Sequence, residues 1–155
     1  MLKYTRTSVI AFDFRDALNF EGETGPYIQY AQVRARNIFR KAETTPEAVL
    51  AEFEQLPAAS LAPFLDEAED IWSLWLRAAR RTLVLEQSIS TSEPAYLAKH
   101  AFQLAQEFNN FYHRHHILTE EDPARKTFLL ATAAVALREL VVVLSWLGIE
   151  SPEAM

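Results

Sequence analysis

One stretch, from about Glu120 to Leu147, constrains the fold more than any other. It is apolar nearly all the way round a helix, interrupted by Arg138 and Glu139. A surface helix needs one apolar stripe, whereas a helix apolar on every side has to be covered on every side. The stretch is long enough to span a bilayer, but the charged pair inside it marks a buried central helix instead. Thr119-Glu120-Glu121-Asp122-Pro123 has the form of a capping box, with hydroxyl and carboxylate three residues apart. At the far end Gly148 reads as the left-handed residue after the last turn, and Pro152 prevents continuation.

The rest of the chain supplies helices to cover this one. Ile28, Ala31, Ala35 and Ile38 place an apolar stripe on a helix from about Pro26 to Ala42. Thr44-Thr45-Pro46-Glu47 starts a short helix to about Leu56, and Pro57 to Pro63 reads as a connection. Asp66 to about Glu86 is a third pattern, with Ile71, Trp72, Trp75, Ala78, Ala79 and Leu83 inward and the tryptophans as core anchors. The cap-rich turn Ser90-Thr91-Ser92-Glu93-Pro94 opens a helix to His115, lined by Leu97, Ala101, Leu104, Ala105, Phe108 and Tyr112. Asp13 to Leu18 is a short helix or an extended lead-in. No segment alternates with period two, so the expected fold is an all-α bundle of about five helices in one domain, residues 1–155. With 50% apolar and 23% charged residues, disorder is excluded, and with no cysteine so are disulfides and thiolate chemistry. No signal peptide opens the chain.

The functional signal is concentrated between Asp16 and Arg34. Two of the three glycines, Gly22 and Gly25, lie here beside Pro26. The pattern reads as a tight loop feeding a helix: both glycines can take positive φ, Thr24 can cap, and Pro26 suits the first turn. Tyr27, Tyr30 and Arg34 follow at i, i+3 and i+7, within about 60° of one another on a helix. Two readings fit. Rings and a guanidinium on one face suit unstacked bases. Equally, the tyrosines can be half-buried core with wet hydroxyls and Arg34 a solvated charge.

A net charge of −6 weighs against nucleic acid as a partner, but base is locally concentrated. Arg34, Arg36, Arg40 and Lys41 cluster on the first long helix, and Arg77, Arg80 and Arg81 on a later one. Acid at Asp66, Glu67, Glu69 and Asp70, and again at Glu120, Glu121 and Asp122, suits helix starts. His113, Arg114, His115 and His116 suit a helix C-terminus, and no second ligand cluster supports a metal there. Tyr112 and His116, at i and i+4, share a helix face. There is no Gly-rich phosphate loop, no paired carboxylates in an apolar context and no nucleophile with an identifiable partner.

The segment from Ala17 to Arg34 reproduces the phrase A-L-x-F-E-G-x-T-G-P-Y-x-Q-Y-A-x-x-R. In this it resembles the start of the C-terminal DALR anticodon-binding domain of bacterial-type arginyl-tRNA synthetases. Phe108-Asn109-Asn110-Phe111-Tyr112-His113 and the closing Leu147-Gly148-Ile149-Glu150-Ser151-Pro152-Glu153-Ala154-Met155 are similar to two further segments of that family. One departure is Val135 ahead of Ala136-Leu137-Arg138, where the family's name-giving motif has aspartate. The synthetase ATP signatures H-x-G-H and K-M-S-K are missing, so the resemblance implies a chain without a catalytic site, with residues 1–12 forming the junction to a catalytic half. It implies a role in binding the anticodon loop of tRNA(Arg) for Tyr27, Tyr30, Arg34, Tyr112 and His116. Met155 would close a base pocket, and Gln29 would either donate to a base edge or point inward. ATP and Mg would serve the full enzyme, none being expected in this chain. The resemblance further implies a cytoplasmic setting, with no membrane or DNA as partner. The alternative is a stand-alone helical interaction module that keeps the fold. The phrase from Phe20 to Arg34 argues against the glycyl-synthetase β-subunit.

Overall fold

The computed structural model describes residues 3–11, 13–19, 22–65, 68–153 and 155. Among these it is entirely helical: α1 (Phe14–Ala17), α2 (Gly25–Lys41), α3 (Pro46–Glu54), α4 (Ala58–Leu65), α5 (Glu69–Ala79), α6 (Arg81–Thr91), α7 (Ala95–Arg114), a 3-10 turn (Ile117–Thr119) and α8 (Pro123–Trp146). Phe20, Glu21, Asp66, Glu67 and Ala154, all used in the sequence reading, lie outside the described residues, as do residues 1, 2 and 12 of the expected junction.

Helix α8 is the axis of the bundle, touching α2, α3, α4, α5 and α7. It is long and apolar enough to cross a membrane, yet 83% of its most apolar window is buried inside the protein. Ala131, Ala133, Ala134 and Ala136 are fully buried, so neighbouring helices approach its backbone closely, while Leu140, Val143 and Leu144 fill the wider spaces. Its two interrupting charges are handled differently. Arg138 faces out, and the buried Glu139 is met by Arg81 of α6 (Nη1–Oε2 2.9 Å). Trp75 of α5 donates its indole N–H to Thr132 (3.1 Å), whose hydroxyl in turn donates to the Phe128 carbonyl (2.9 Å).

The helix ends follow local chemistry. Thr24, Thr45 and Asp122 cap α2, α3 and α8 through their side chains, each followed by proline within the first turn. At the end of α8 the amides of Gly148 and Ile149 donate to the Ser145 and Leu144 carbonyls, the paired bonds of a Schellman motif with Gly148 at φ +69°. Two further helices close the same way with non-glycine residues, Glu43 (φ 52°) and Ser92 (φ 54°).

The bundle has more pieces than five, for three reasons. First, the Pro57–Pro63 connection becomes α4: Leu61 and Leu65 pack on the core, and Ser60 bonds back to Pro57. Second, the expected helix through Glu86 breaks at Arg80 (φ −79°, ψ −3°), which rotates the following face. Ser88 is then buried, and Leu83 is 65% exposed. Third, α1 forms a single turn. Trp72 is half exposed, unlike the core anchor expected, whereas Trp75 packs on Phe53 and Phe128. The last helix begins at Asp122 rather than at Thr119. Thr119 ends the 3-10 turn, its hydroxyl donating to the His116 carbonyl, so the aspartate alone caps. Gly22 takes positive φ (+78°), but Gly25 is already helical.

Candidate nucleic-acid interface

A groove of about 240 Å³ lies between the second half of α2 and the end of α7. Val33, Ile38 and Leu118 give it apolar lining, while Tyr30, Arg34, Tyr112 and Met155 line it with rings, a guanidinium and a thioether. Four residues singled out in the sequence, from three separate segments, therefore meet in one place.

Arg34 is the centre of this arrangement. Its guanidinium carbon lies 4.8 Å from the ring centre of Tyr30 and 5.0 Å from that of Tyr112. Its Nη1 donates to Oδ1 of Asn109 at 2.8 Å. A cation against two π faces, tethered by an amide on a third side, is held rather than swinging in solvent. Tyr30 remains 42% exposed, so its ring is open to a stacking partner as well. Of the two readings offered for these residues, the solvated-charge reading of Arg34 does not hold.

Met155 reaches the groove because the segment before it is clasped to α2. Gln29 Nε2 donates to the Glu150 carbonyl (2.9 Å) and Gln32 Nε2 to the Ser151 hydroxyl (2.6 Å). Arg36 Nη1 donates to the Pro152 carbonyl (2.6 Å). Gln29 and Arg36 on one side of α2 thus satisfy backbone carbonyls of an irregular segment that has no helix or sheet of its own, and Gln32 holds its Ser151 hydroxyl. Gln29, half-buried, has its amide N–H engaged in this clasp at the surface, neither pointing into the core nor free toward the groove. Sequence patterning missed Gln32, Arg36 and Asn109. Gln32 and Asn109 are buried polar residues on otherwise apolar helix faces, a signal that was present but unread.

Two expected site residues lie elsewhere. Tyr27 is half-buried with its ring tilted on Phe102 at 5.3 Å, outside the groove lining. His116 does not share a helical face with Tyr112, because α7 ends at Arg114 and His115 is extended (φ −108°, ψ 123°). His116 stands exposed at the start of the 3-10 turn. His115 pairs with Asp70 (2.9 Å), which Arg114 also approaches (3.5 Å). Among the described residues, no group of three or more His, Asp or Glu has the placement to hold a metal ion. In the second basic cluster, Arg77 pairs with Glu107 (2.6 Å) and Arg81 with Glu139, so those charges serve the fold. Val135 packs partly buried against the core, consistent with a structural position that needs no carboxylate.

Comparison with known proteins gives a consistent answer. The family model described as "DALR anticodon binding domain" matches residues 28–155. The arginine–tRNA ligase of Alkaliphilus metalliredigens is 34% identical over 155 residues, 99% of this chain and 25% of that protein. The corresponding ligase of Streptococcus uberis is 35% identical over 156 residues, with the same coverage. Among solved structures, the arginyl-tRNA synthetase of Thermus thermophilus superposes over 99% of this chain and 25% of its own, at 28% identity and a TM-score of 0.78. The chain thus spans about a quarter of the length of the curated relatives it matches. An all-helical bundle, a family match over most of its length and relatives along nearly all of it agree: the chain belongs to the DALR anticodon-binding domain family, and the proteins it is similar to are arginine–tRNA ligases.

Proposed function

We propose that the chain is the anticodon-binding part of an arginine–tRNA ligase. It would hold the anticodon loop of tRNA(Arg) while a catalytic part outside this chain joins arginine to the tRNA using ATP and Mg. The observation that carries the reading is the groove in which Tyr30, Arg34, Tyr112 and Met155 meet. Anticodon bases can unstack from their loop and need a flat, partly apolar partner, with charge nearby for the backbone. Tyr30 and Tyr112 offer rings, Met155 a soft polarizable wall, and Arg34 a planar cation held between the rings.

Every arginine codon has G in the middle, so every cognate anticodon has C there. A groove that demands one base can demand that one. A base entering between the rings meets Arg34 edge-on or displaces it, and the Asn109 tether favours the former. Tyr27 and His116, outside the groove, are left for contacts with the flanking nucleotides.

Titration with a tRNA(Arg) anticodon stem-loop tests this. Tyr112→Ala should weaken binding about fivefold or more, at ~1–3 kcal/mol per stacked base, and Tyr112→Phe should retain most of it. Equal binding by all three proteins would refute the assignment.

A further inference from the structure

The groove continues past the aromatic cluster toward the C-terminal end of α2, where Asn37 and Lys41 line it. Both lie outside the aromatic cluster around Arg34. Tyr30, Arg34, Asn37 and Lys41 recur at steps of four, three and four, and so form one stripe along α2. At 1.5 Å per residue the stripe is about 16 Å long. A stacked strand advances about 3.4 Å per nucleotide, so the stripe is longer than one base requires.

The charges on α2 divide clearly. Arg34 is committed to Asn109 and two rings, and Arg36 to the carbonyls of Ser151 and Pro152. Neither Arg40 nor Lys41 has an ion-pair or side-chain hydrogen-bond partner among the described residues, and of the two only Lys41 lines the groove; the half-buried Asn37 amide beside it has no partner either. A free ammonium beside a free amide, in line with a base-stacking cluster, provides a phosphate contact and a donor–acceptor pair for a base edge.

We propose that Asn37 and Lys41 form a second nucleotide subsite, Lys41 meeting a phosphate and Asn37 the base edge of the nucleotide next to the one held by Tyr30, Tyr112 and Met155. The subsite rests on the anticodon-loop reading and extends it by one nucleotide. Lys41 then contributes one phosphate's share of the salt dependence of binding, beside Arg34, the other cation lining the groove, whose partners are uncharged.

The test is fluorescence anisotropy with a labelled tRNA(Arg) anticodon stem-loop between 0.05 and 0.5 M salt (about the range in which single contacts resolve). Wild type, Lys41→Ala, Lys41→Arg, Asn37→Ala and Tyr112→Ala would be compared. One phosphate contact contributes a slope of about 0.7 in log K against log salt on a single strand. Lys41→Ala should therefore lower the slope by about 0.7 and the affinity about fivefold at 0.1 M salt. Lys41→Arg should restore both. Asn37→Ala should weaken binding several-fold with the slope unchanged. Wild-type behaviour of Lys41→Ala and Asn37→Ala, with binding lost in Tyr112→Ala, overturns the subsite and leaves the anticodon reading standing. Loss of neither slope nor affinity in any variant, or no binding by wild type, overturns both.

Discussion

Acid should destabilise this bundle through one buried imidazole. His100 of α7 is 4% exposed, and its Nε2 has no hydrogen-bond partner among the described residues. Burial, and secondarily the Arg77 guanidinium, pull its pKa from 6.5 down to about 4. Between these two values the unfolded chain carries a proton on this side chain that the folded chain does not. Stability is therefore full above pH 6.5 and falls as pH drops toward 4, below which both states are protonated and the loss levels off. A depression of that size, at 1.36 kcal/mol per pH unit, corresponds to about 3 kcal/mol between pH 7 and 4, roughly half of it gone by pH 5.5. For a domain of typical stability that is a large fraction of the total. Carboxylates also titrate in this range, so the useful quantity is a difference. Urea unfolding of wild type and His100→Gln at pH 7, 5.5 and 4 should show wild type losing about 3 kcal/mol more than the variant. Parallel pH profiles for the two proteins would refute the reasoning.

The remaining predictions concern particular contacts. Arg36→Ala removes the donor to the Pro152 carbonyl, so carboxypeptidase trimming of the last residues should speed up and stem-loop affinity fall, while hydrogen exchange in α8 stays the same. Arg81→Met leaves the buried Glu139 facing only the exposed Arg138 and should cost about 3 kcal/mol in denaturant unfolding, much of which Glu139→Gln in the same chain should recover. Glu43→Gly relieves a left-handed backbone at the end of α2 and should raise stability by about 1 kcal/mol, whereas Ala at that position should not.

The helices and their starts were largely legible because they depend on local chemistry. Thr24, Thr45 and Gly148 act at the positions their residue types suggest, and the all-round apolarity of α8 did imply a central helix. The break at Arg80 was not legible. Arg77 and Arg81 turn toward different acids, Glu107 and Glu139, and neither pairing can be inferred from periodicity along α5 and α6. The Pro57–Pro63 stretch misled for a related reason: proline weakens a helix locally, but the burial of Leu61 and Leu65 is a tertiary effect. At the site, helical spacing placed Tyr30 and Arg34 together, and resemblance to a family added Tyr112 and Met155. Spacing also put Tyr27 on the same face, but Phe102 of a different helix packs on that ring, and it stands outside the groove lining. His116 does not share a face with Tyr112, because i+4 adjacency ends where α7 ends. What no pattern along the chain could supply is the clasp from Gln29, Gln32 and Arg36 to the last residues, since it joins positions more than a hundred residues apart.

The most direct measurement is the affinity of this chain for a tRNA(Arg) anticodon stem-loop, set beside the same stem-loop with its middle C changed to G. A groove built from Tyr30, Arg34, Tyr112 and Met155 should bind the C form more tightly, and Tyr30→Ala should shrink the difference. Equal affinity for the two stem-loops, unaltered by Tyr30→Ala, would contradict anticodon reading by this face.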